Sequence, residues 1–305
     1  MPTKVNEFIE TVSGIFLDKA EAVKFSTVCL LAGGHLLIED VPGVGKTTLV
    51  TTMGKLLSLK TNRIQFTIDL LPGDILGGHI FNPQDQQFHF HEGPIFAQLV
   101  LADELNRASP RTQSALLQAM EEGQVSLDGK TWDLPSPFFL IATQNPHQNL
   151  GTFLLPESQL DRFLMSLSLN YASKQTEVKI FQQEENPREK IKTLKALYSP
   201  ADLLQIQKEI DTIQISIAVA EYVAALLENS RKPEFPGEAL STRAGLAIIK
   251  AAKAWAYLDD RKYLKPDDIQ AVLRPVFSHR LGGTHGLQQG QEWAYQLEQQ
   301  TAVPR

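Results

Sequence analysis

Short apolar runs that stop at polar residues recur through the first half of the chain, whereas the second half carries longer stretches with helical spacing. HLLIE (35–39), LVLA (99–102) and FFLIATQNP (138–146) contain apolar runs of the kind that form buried parallel strands, and RIQF (63–66) reads as a further strand. VKFSTVCLLAG predicts a helix closed by Gly33-Gly34, and TTLVTTMGKLL predicts another that starts directly after the first strand's loop. Apolar pairs on either side of NPQDQQ predict a hairpin, and VSL-Asp128-Gly129-KTW predicts a second hairpin on a two-residue type I′ turn. Later, SPADLLQIQKEI opens with a serine cap, ISIAVAEYVAALLENSR and TRAGLAIIKAAKAWAYL have dense apolar spacing, and Pro266 begins PDDIQAVLR. The glutamine-rich end, GLQQGQEWAYQLEQQTAVPR, fits a docking helix or a loose tail equally well. The pattern predicts an α/β core with a parallel sheet and hairpin insertions over residues 1–190, a smaller all-α domain over 191–285 and a tail over 286–305.

Composition narrows the class. The 305 residues are 43% hydrophobic and 21% charged, as in ordinary globular proteins. No apolar run approaches the ~18 residues of a membrane span, and MPTKVNEFIETVSGIFLDKA lacks a secretory core, so a cytoplasmic location is expected. The single cysteine, Cys29, falls in an apolar helical segment and reads as packing rather than redox chemistry. A net charge of −6 with scattered Lys and Arg argues against a nucleic-acid grip. His89 and His91 alternate on one strand but lack a third metal ligand nearby in sequence.

The chemistry concentrates in EDVPGVGKTTLV (39–50), which follows a strand and opens a helix. That is the setting of a phosphate-binding loop, in which backbone N–H groups and a helix N-terminus converge on phosphate. Asp40, Val41, Pro42, Gly43, Val44, Gly45, Lys46, Thr47 and Thr48 are the candidate nucleotide contacts, with Lys46 facing the β- and γ-phosphates and Thr47 a Mg²⁺ ligand. Asp40 stands where such loops usually carry their first glycine, and aspartate tolerates the left-handed backbone that glycine would supply. The LVLA run delivers Asp103 and Glu104 to the sheet's C-terminal edge, where α/β sheets bind ligands. Asp103 suits Mg²⁺ and Glu104 suits polarising water. Asn145, which alone would read as a turn residue, can orient that water from the end of the third strand.

These stretches resemble the AAA+ ATPases and, within them, the MoxR family. GVGKT is similar to the family's Walker A, LVLADE to its Walker B and IATQNP to its sensor 1. LLPGDILGG, GPIFAQLVLADELNRA, TQSALLQAMEEGQV and LPESQLDRFL carry the likeness furthest, and STRAGLAIIKAAKAWAYLDDRKYLKPDDI continues it more weakly. The resemblance implies an arginine finger at Arg162, reaching a neighbouring subunit's nucleotide, and a sensor 2 at Arg243 on the lid, touching its own. It also implies that Arg107 faces the subunit junction and that the two hairpins are the clade's insertions, placed to touch a client or to decorate the interface. The activity implied is ATP hydrolysis with Mg²⁺ in a homo-oligomeric, hexameric ring that matures or loads cofactor into a protein client. A separate partner with a von Willebrand A domain is implied as well. DNA-remodelling ATPases and metal-chelatase motor subunits share the same parts and stay open. A non-hydrolysing binding module is disfavoured by the joint presence of Lys46, Asp103, Glu104 and Arg162.

Overall fold

The structure, a computed structural model, describes residues 2–41, 43–145, 151–182 and 186–304. Two helices, α1 (Pro2–Ser13) and α2 (Ala20–Leu31), precede β1 (Leu36–Glu39), and α3 (Lys46–Leu56) follows the loop. After β2 (Thr61–Gln65), the short α4 (Pro72–Leu76) leads into the hairpin β3 (Gly77–Asn82) and β4 (Gln87–Glu92). Strand β5 (Leu99–Asp103), helix α5 (Pro110–Glu122), the hairpin β6 (Gln124–Leu127) and β7 (Lys130–Asp133), and β8 (Phe139–Gln144) come next. The turn between β6 and β7 has both central residues at positive φ, Asp128 at 51° and Gly129 at 75°, as a type I′ turn requires.

Helix α6 (Glu157–Leu160) and strand β9 (Met165–Leu167) complete the sheet, whose order is β2-β5-β8-β1-β9 with every pair parallel. Because side chains alternate across a strand, the sheet feeds two cores. Leu36, Ile38, Leu99, Leu101, Phe139 and Ile141 enter one. Leu37, Val100, Ala102, Leu140 and Ala142 enter the other, with α5 and the hairpins.

The charged stretch after the sheet forms α7 (Lys174–Phe181) and α8 (Pro187–Thr193), followed by α9 (Pro200–Asp211), α10 (Ile217–Ser230), α11 (Thr242–Leu258) and α12 (Pro266–Gly282). Serines cap four of these: Ser173, Ser199, Ser216 and Ser241 each accept a bond from a backbone N–H in the first turn of α7, α9, α10 and α11. The glutamine-rich end is helix α13 (Leu287–Gln300), packed on α12 with Ala294 and Leu297 fully buried. These helices share their apolar core with α1, α2 and one face of the sheet. Between β9 and α12, His279 lies 3.0 Å from the Ser166 hydroxyl, and Arg280 donates to Asp161 Oδ1 at 2.6 Å.

The two hairpins form one unit. Phe90 of β4 stacks on Trp132 of β7 at 3.9 Å between centroids, and His79 of β3 meets Asp128 in the other hairpin's turn at 2.9 Å. Their outer surface exposes Ile80, Phe81 and Phe88. His89 pairs with Asp85 at 2.5 Å.

Candidate active site

The loop between β1 and α3 turns on two glycines, Gly43 at φ 88° and Gly45 at φ 94°. A Cβ on Gly45 would lie 2.7 Å from Phe16 Cε2, so the site needs glycine for space as well as for backbone. Lys46 is buried at the first position of α3 and donates to the Asp40 carbonyl at 3.1 Å. Burial pulls its pKa below the ordinary lysine range, while Asp103, Asp40 and Glu104 pull the other way. A phosphate would add to that second group. Thr47 is exposed on the first turn of α3, Val41, Val44 and Thr48 are half-buried, and Pro42 lies outside the described residues.

Asp40 does not adopt the left-handed backbone expected of a glycine substitute. Its carboxylate is used instead. Oδ1 accepts from Val41 N at 2.8 Å; Oδ2 accepts from Asn170 N at 2.7 Å, from the Ser168 hydroxyl at 3.3 Å and from Leu169 N. The side chain therefore grips the segment after β9, and its main chain is what faces Lys46.

The acids at the end of β5 are held by a residue absent from the motif reading. The Thr143 hydroxyl, on β8, donates to Asp103 Oδ1 at 2.7 Å and accepts from Glu104 N at 2.8 Å. Arg63 on β2 holds Asp103 Oδ2 at 2.7 Å. Glu104 sits at φ 58°, ψ 45°, an uncommon conformation for a residue with a side chain and one that concentrates at functional sites. Its carboxylate meets Arg107 Nε at 2.9 Å, and Arg107, while exposed, is thus tied to an acid of its own chain. Asn145 is buried, and its Oδ1 has no hydrogen-bond partner among the described residues. An orphaned buried amide oxygen at a strand end beside two carboxylates is well placed for water or ligand.

A cavity of about 740 Å³ opens beside the loop, lined among others by Glu39, Asp40 and Val41 and by Arg274, Leu287 and Gln288 from the α12–α13 region. Its size suits a nucleotide-scale ligand. Arg162 and Arg243 do not line it, and neither do Lys46, Thr47, Asp103, Glu104 or Asn145. The two arginines reach Glu121 instead, Arg162 Nε at 3.1 Å from Oε2 and Arg243 Nη2 against Oε1. Glu121 lies at the far end of α5 from the β5 acids, and helical rise alone puts roughly 16 Å between Pro110 and Glu121. The expectation that Arg243 touches its own chain's nucleotide thus meets a different geometry: it shares a carboxylate with the proposed arginine finger.

The donors available fit magnesium carried on phosphates. Thr47 and Asp103 offer a hydroxyl and a carboxylate, and Mg²⁺ takes few protein ligands, filling its octahedron with water and phosphate oxygens. No group of three or more His, Cys, Asp or Glu side chains among the described residues forms a separate metal cage.

This sheet order, with a glycine-turned loop after its fourth strand in space and paired acids two strands away, defines a nucleotide-hydrolysing AAA+ module. The family of ATPases associated with various cellular activities matches residues 35–165, and the AAA lid domain family matches residues 239–300. The chain is 41% identical to the uncharacterised protein YeaC of Bacillus subtilis, over 90% of this chain and 85% of the relative. It is 38% identical to the chaperone MoxR1 of Mycobacterium tuberculosis, over 88% of this chain and 73% of that protein. A crystal structure from Cytophaga hutchinsonii, provisionally described as an ATPase, superposes with a TM-score of 0.87 at 32% identity, covering 100% of this chain and 96% of that one. The chain belongs to the MoxR family of AAA+ ATPases. No helix among the described residues is long and apolar enough to cross a membrane.

Proposed function

We propose that this ATPase works as a homo-oligomeric ring, a hexamer, that spends ATP on remodelling or maturing a protein client. One observation carries the reading: the chain holds the two halves of a hydrolytic site at a distance from each other. Lys46, Asp103, Glu104 and Asn145 gather beside the loop, while Arg162 and Arg243 gather at Glu121. In the first half the arginines, Arg63 and Arg107, are already paired with Asp103 and Glu104, whereas in the second two guanidiniums share one carboxylate and have charge to offer. Closing a head-to-tail ring supplies each site from its neighbour. Under this reading both Arg162 and Arg243 serve the adjacent protomer's nucleotide.

Within the site, the loop's N–H groups and Lys46 hold the triphosphate, Thr47 and Asp103 hold Mg²⁺, Glu104 polarises water and Asn145 orients it. Bound Mg²⁺ neutralises phosphate charge. Glu104 must leave Arg107 to act as base, which makes that ion pair part of the resting state. We take the core as about residues 1–190, a boundary that falls within α8, and the lid as starting there; the packing of α13 on α12 supports reading α13 with the lid rather than as a tail. The fused hairpins, with Phe81 and Phe88 exposed at 5.2 Å from each other, are the surface we assign to the client. A von Willebrand A domain protein encoded separately is the expected partner, and the cytoplasm is the expected location.

The test is the concentration dependence of ATP turnover, followed beside sedimentation. Specific activity should rise as protomers assemble. Full activity in strictly monomeric material would overturn the reading.

A further inference from the structure

The two acids that precede the phosphate loop have no obvious business beside a polyanion. Glu39 and Asp40 both line the cavity next to the loop, and neither carboxylate is left free. Their partners explain their presence. Glu39 Oε2 accepts from Gln144 Nε2 at 2.6 Å, and its Oε1 accepts from Leu287 N at 3.2 Å. Gln144 is the β8 residue directly opposite Glu39 in the ladder and directly before Asn145. Leu287 is the first residue of α13, whose N-cap position is Gly286, a residue with no side chain to cap with. Glu39 therefore satisfies an orphan N–H at the positive end of a lid helix, where a carboxylate is favoured.

Asp40 works on the opposite neighbour. Its Oδ2 collects Leu169 N, Asn170 N and the Ser168 hydroxyl, from the segment that continues β9 toward α7. The same residue receives Lys46 Nζ on its carbonyl and donates its N–H to the Gln144 carbonyl at 3.1 Å. Two consecutive side chains thus fasten the root of the loop to three separate pieces: the end of the Asn145 strand, the first turn of α13 and the segment 168–170. Two of those pieces line one cavity, the segment 168–170 through Ser168 and Asn170 and the start of α13 through Leu287 and Gln288.

We propose that Glu39 and Asp40 are positioning residues for ATP hydrolysis: Asp40 sets the phosphate loop against the segment 168–170, and Glu39 sets the lid helix α13 against the strand that carries Asn145. They act through the loop and the lid and do not touch the reacting atoms. This explains why an aspartate replaces the first glycine of the loop. The position is used for its side chain, and among the described residues of the loop the positive-φ positions are Gly43 and Gly45. It also separates two effects. Asp40 governs where the phosphates sit and so should show in affinity. Glu39 joins the water-orienting strand to a lid helix and so should show in turnover.

The inference rests on nucleotide binding at the loop, and the experiment distinguishes the two. In the full-length assembled protein, ADP affinity is measured by calorimetry, ATP kcat and KM by steady-state kinetics, and amide exchange at Leu169, Asn170 and Leu287 by hydrogen–deuterium exchange without nucleotide. Asp40→Gly, which restores the residue usual in such loops, should raise the ADP Kd and ATP KM about tenfold or more, as expected when a carboxylate with several backbone donors is lost. It should also speed exchange at Leu169 and Asn170 while leaving Leu287 protected. Asp40→Asn keeps one acceptor and should fall between, which keeps the test open if the glycine variant folds poorly. Glu39→Ala should lower kcat about tenfold with a smaller change in Kd, and should expose Leu287 to exchange. Glu39→Gln, which retains an acceptor for Leu287 and can pair with a rotated Gln144 amide, should recover most of the loss. ADP affinity within twofold of wild type in Asp40→Gly, or exchange at Leu169 and Asn170 unchanged, overturns the inference alone. A wild-type chain that binds no ADP overturns the site and the inference with it.

Discussion

At the loop, one buried lysine faces three carboxylates and its pKa is lowered by burial despite them. At the far end of α5, two partly exposed arginines face one carboxylate, with Arg243 the more exposed of the pair. The first arrangement is enclosed, with Asp103 and Glu104 already paired with Arg63 and Arg107; the second sets two cations against one carboxylate and is more open. Isolated ion pairs at a surface contribute little to stability. Two guanidiniums crowded on one glutamate are therefore better understood as cations parked for use elsewhere. The contrast fits the proposal that each site receives a cation from a neighbouring copy.

The sharpest way to break that contrast is to disable each end separately. Glu104→Gln should abolish turnover, by about 10³-fold or more, while ATP still binds, since the amide keeps the shape and loses the base. Unchanged turnover would remove Glu104 from its role. Arg162→Ala should cost a similar factor, about 10³, with ADP affinity in calorimetry moving only a few-fold, because the residue is remote from its own loop. Mixing the two inactive proteins then decides the matter. A protomer with intact Glu104 beside one with intact Arg162 restores a whole site at about a quarter of randomly formed interfaces. No recovery from a mixture shown to co-assemble would mean that both ends serve the same chain after all.

A smaller effect sharpens the position of Arg243. If it serves the neighbour, Arg243→Ala should lower kcat about tenfold while leaving ADP affinity of dilute, dissociated protomers unchanged. If it folds back onto its own nucleotide, affinity of those same protomers should fall. Glu121→Ala, which frees both arginines, should then change turnover less than either arginine variant does.

How far these ends were readable from the chain depends on the range of their contacts. Strands β1, β5 and β8 are visible as apolar runs because each is buried on both faces, and the acids and Asn145 follow them directly. The Asp128-Gly129 turn is visible because its chemistry is local. Strand β9 has only three residues, Met165–Leu167, and a run that short has no periodicity to detect. The role of the Asp40 side chain is hidden in the sequence because its partners, Ser168 to Asn170, are far away along the chain. Thr143 sits inside a strand whose apolar neighbours hide it, and Glu121 looks like any helix-surface acid until two arginines arrive from α6's end and from α11. Local chemistry was legible; convergence was not.

Acid offers the mildest probe, and it acts on the frame that holds the arginine end in place. Asp161, next to Arg162, is gripped by Arg280 of α12, and Arg280 lies 3.0 Å from His279 Nε2. Burial, followed by the Arg280 charge, holds the His279 pKa well below its usual value. His35, whose Nδ1 accepts from Leu140 N at 3.1 Å, is brought down to about 4, chiefly by burial. Both rings are therefore neutral in the folded chain and protonated first in the unfolded one. Their contribution to stability is full above about pH 6.5 and is lost as pH falls toward 4 and below, because the unfolded state takes up the protons. The melting temperature should decline steadily from pH 7 to pH 5. His279→Gln, which cannot charge against Arg280, should flatten part of that decline. If the junction between β9 and α12 is what keeps Arg162 in position, kcat of the assembled wild-type enzyme should fall over the same range faster than ADP affinity does, and the His279→Gln enzyme should hold its kcat to lower pH. Affinity falling first would place the acid-sensitive frame under the loop instead.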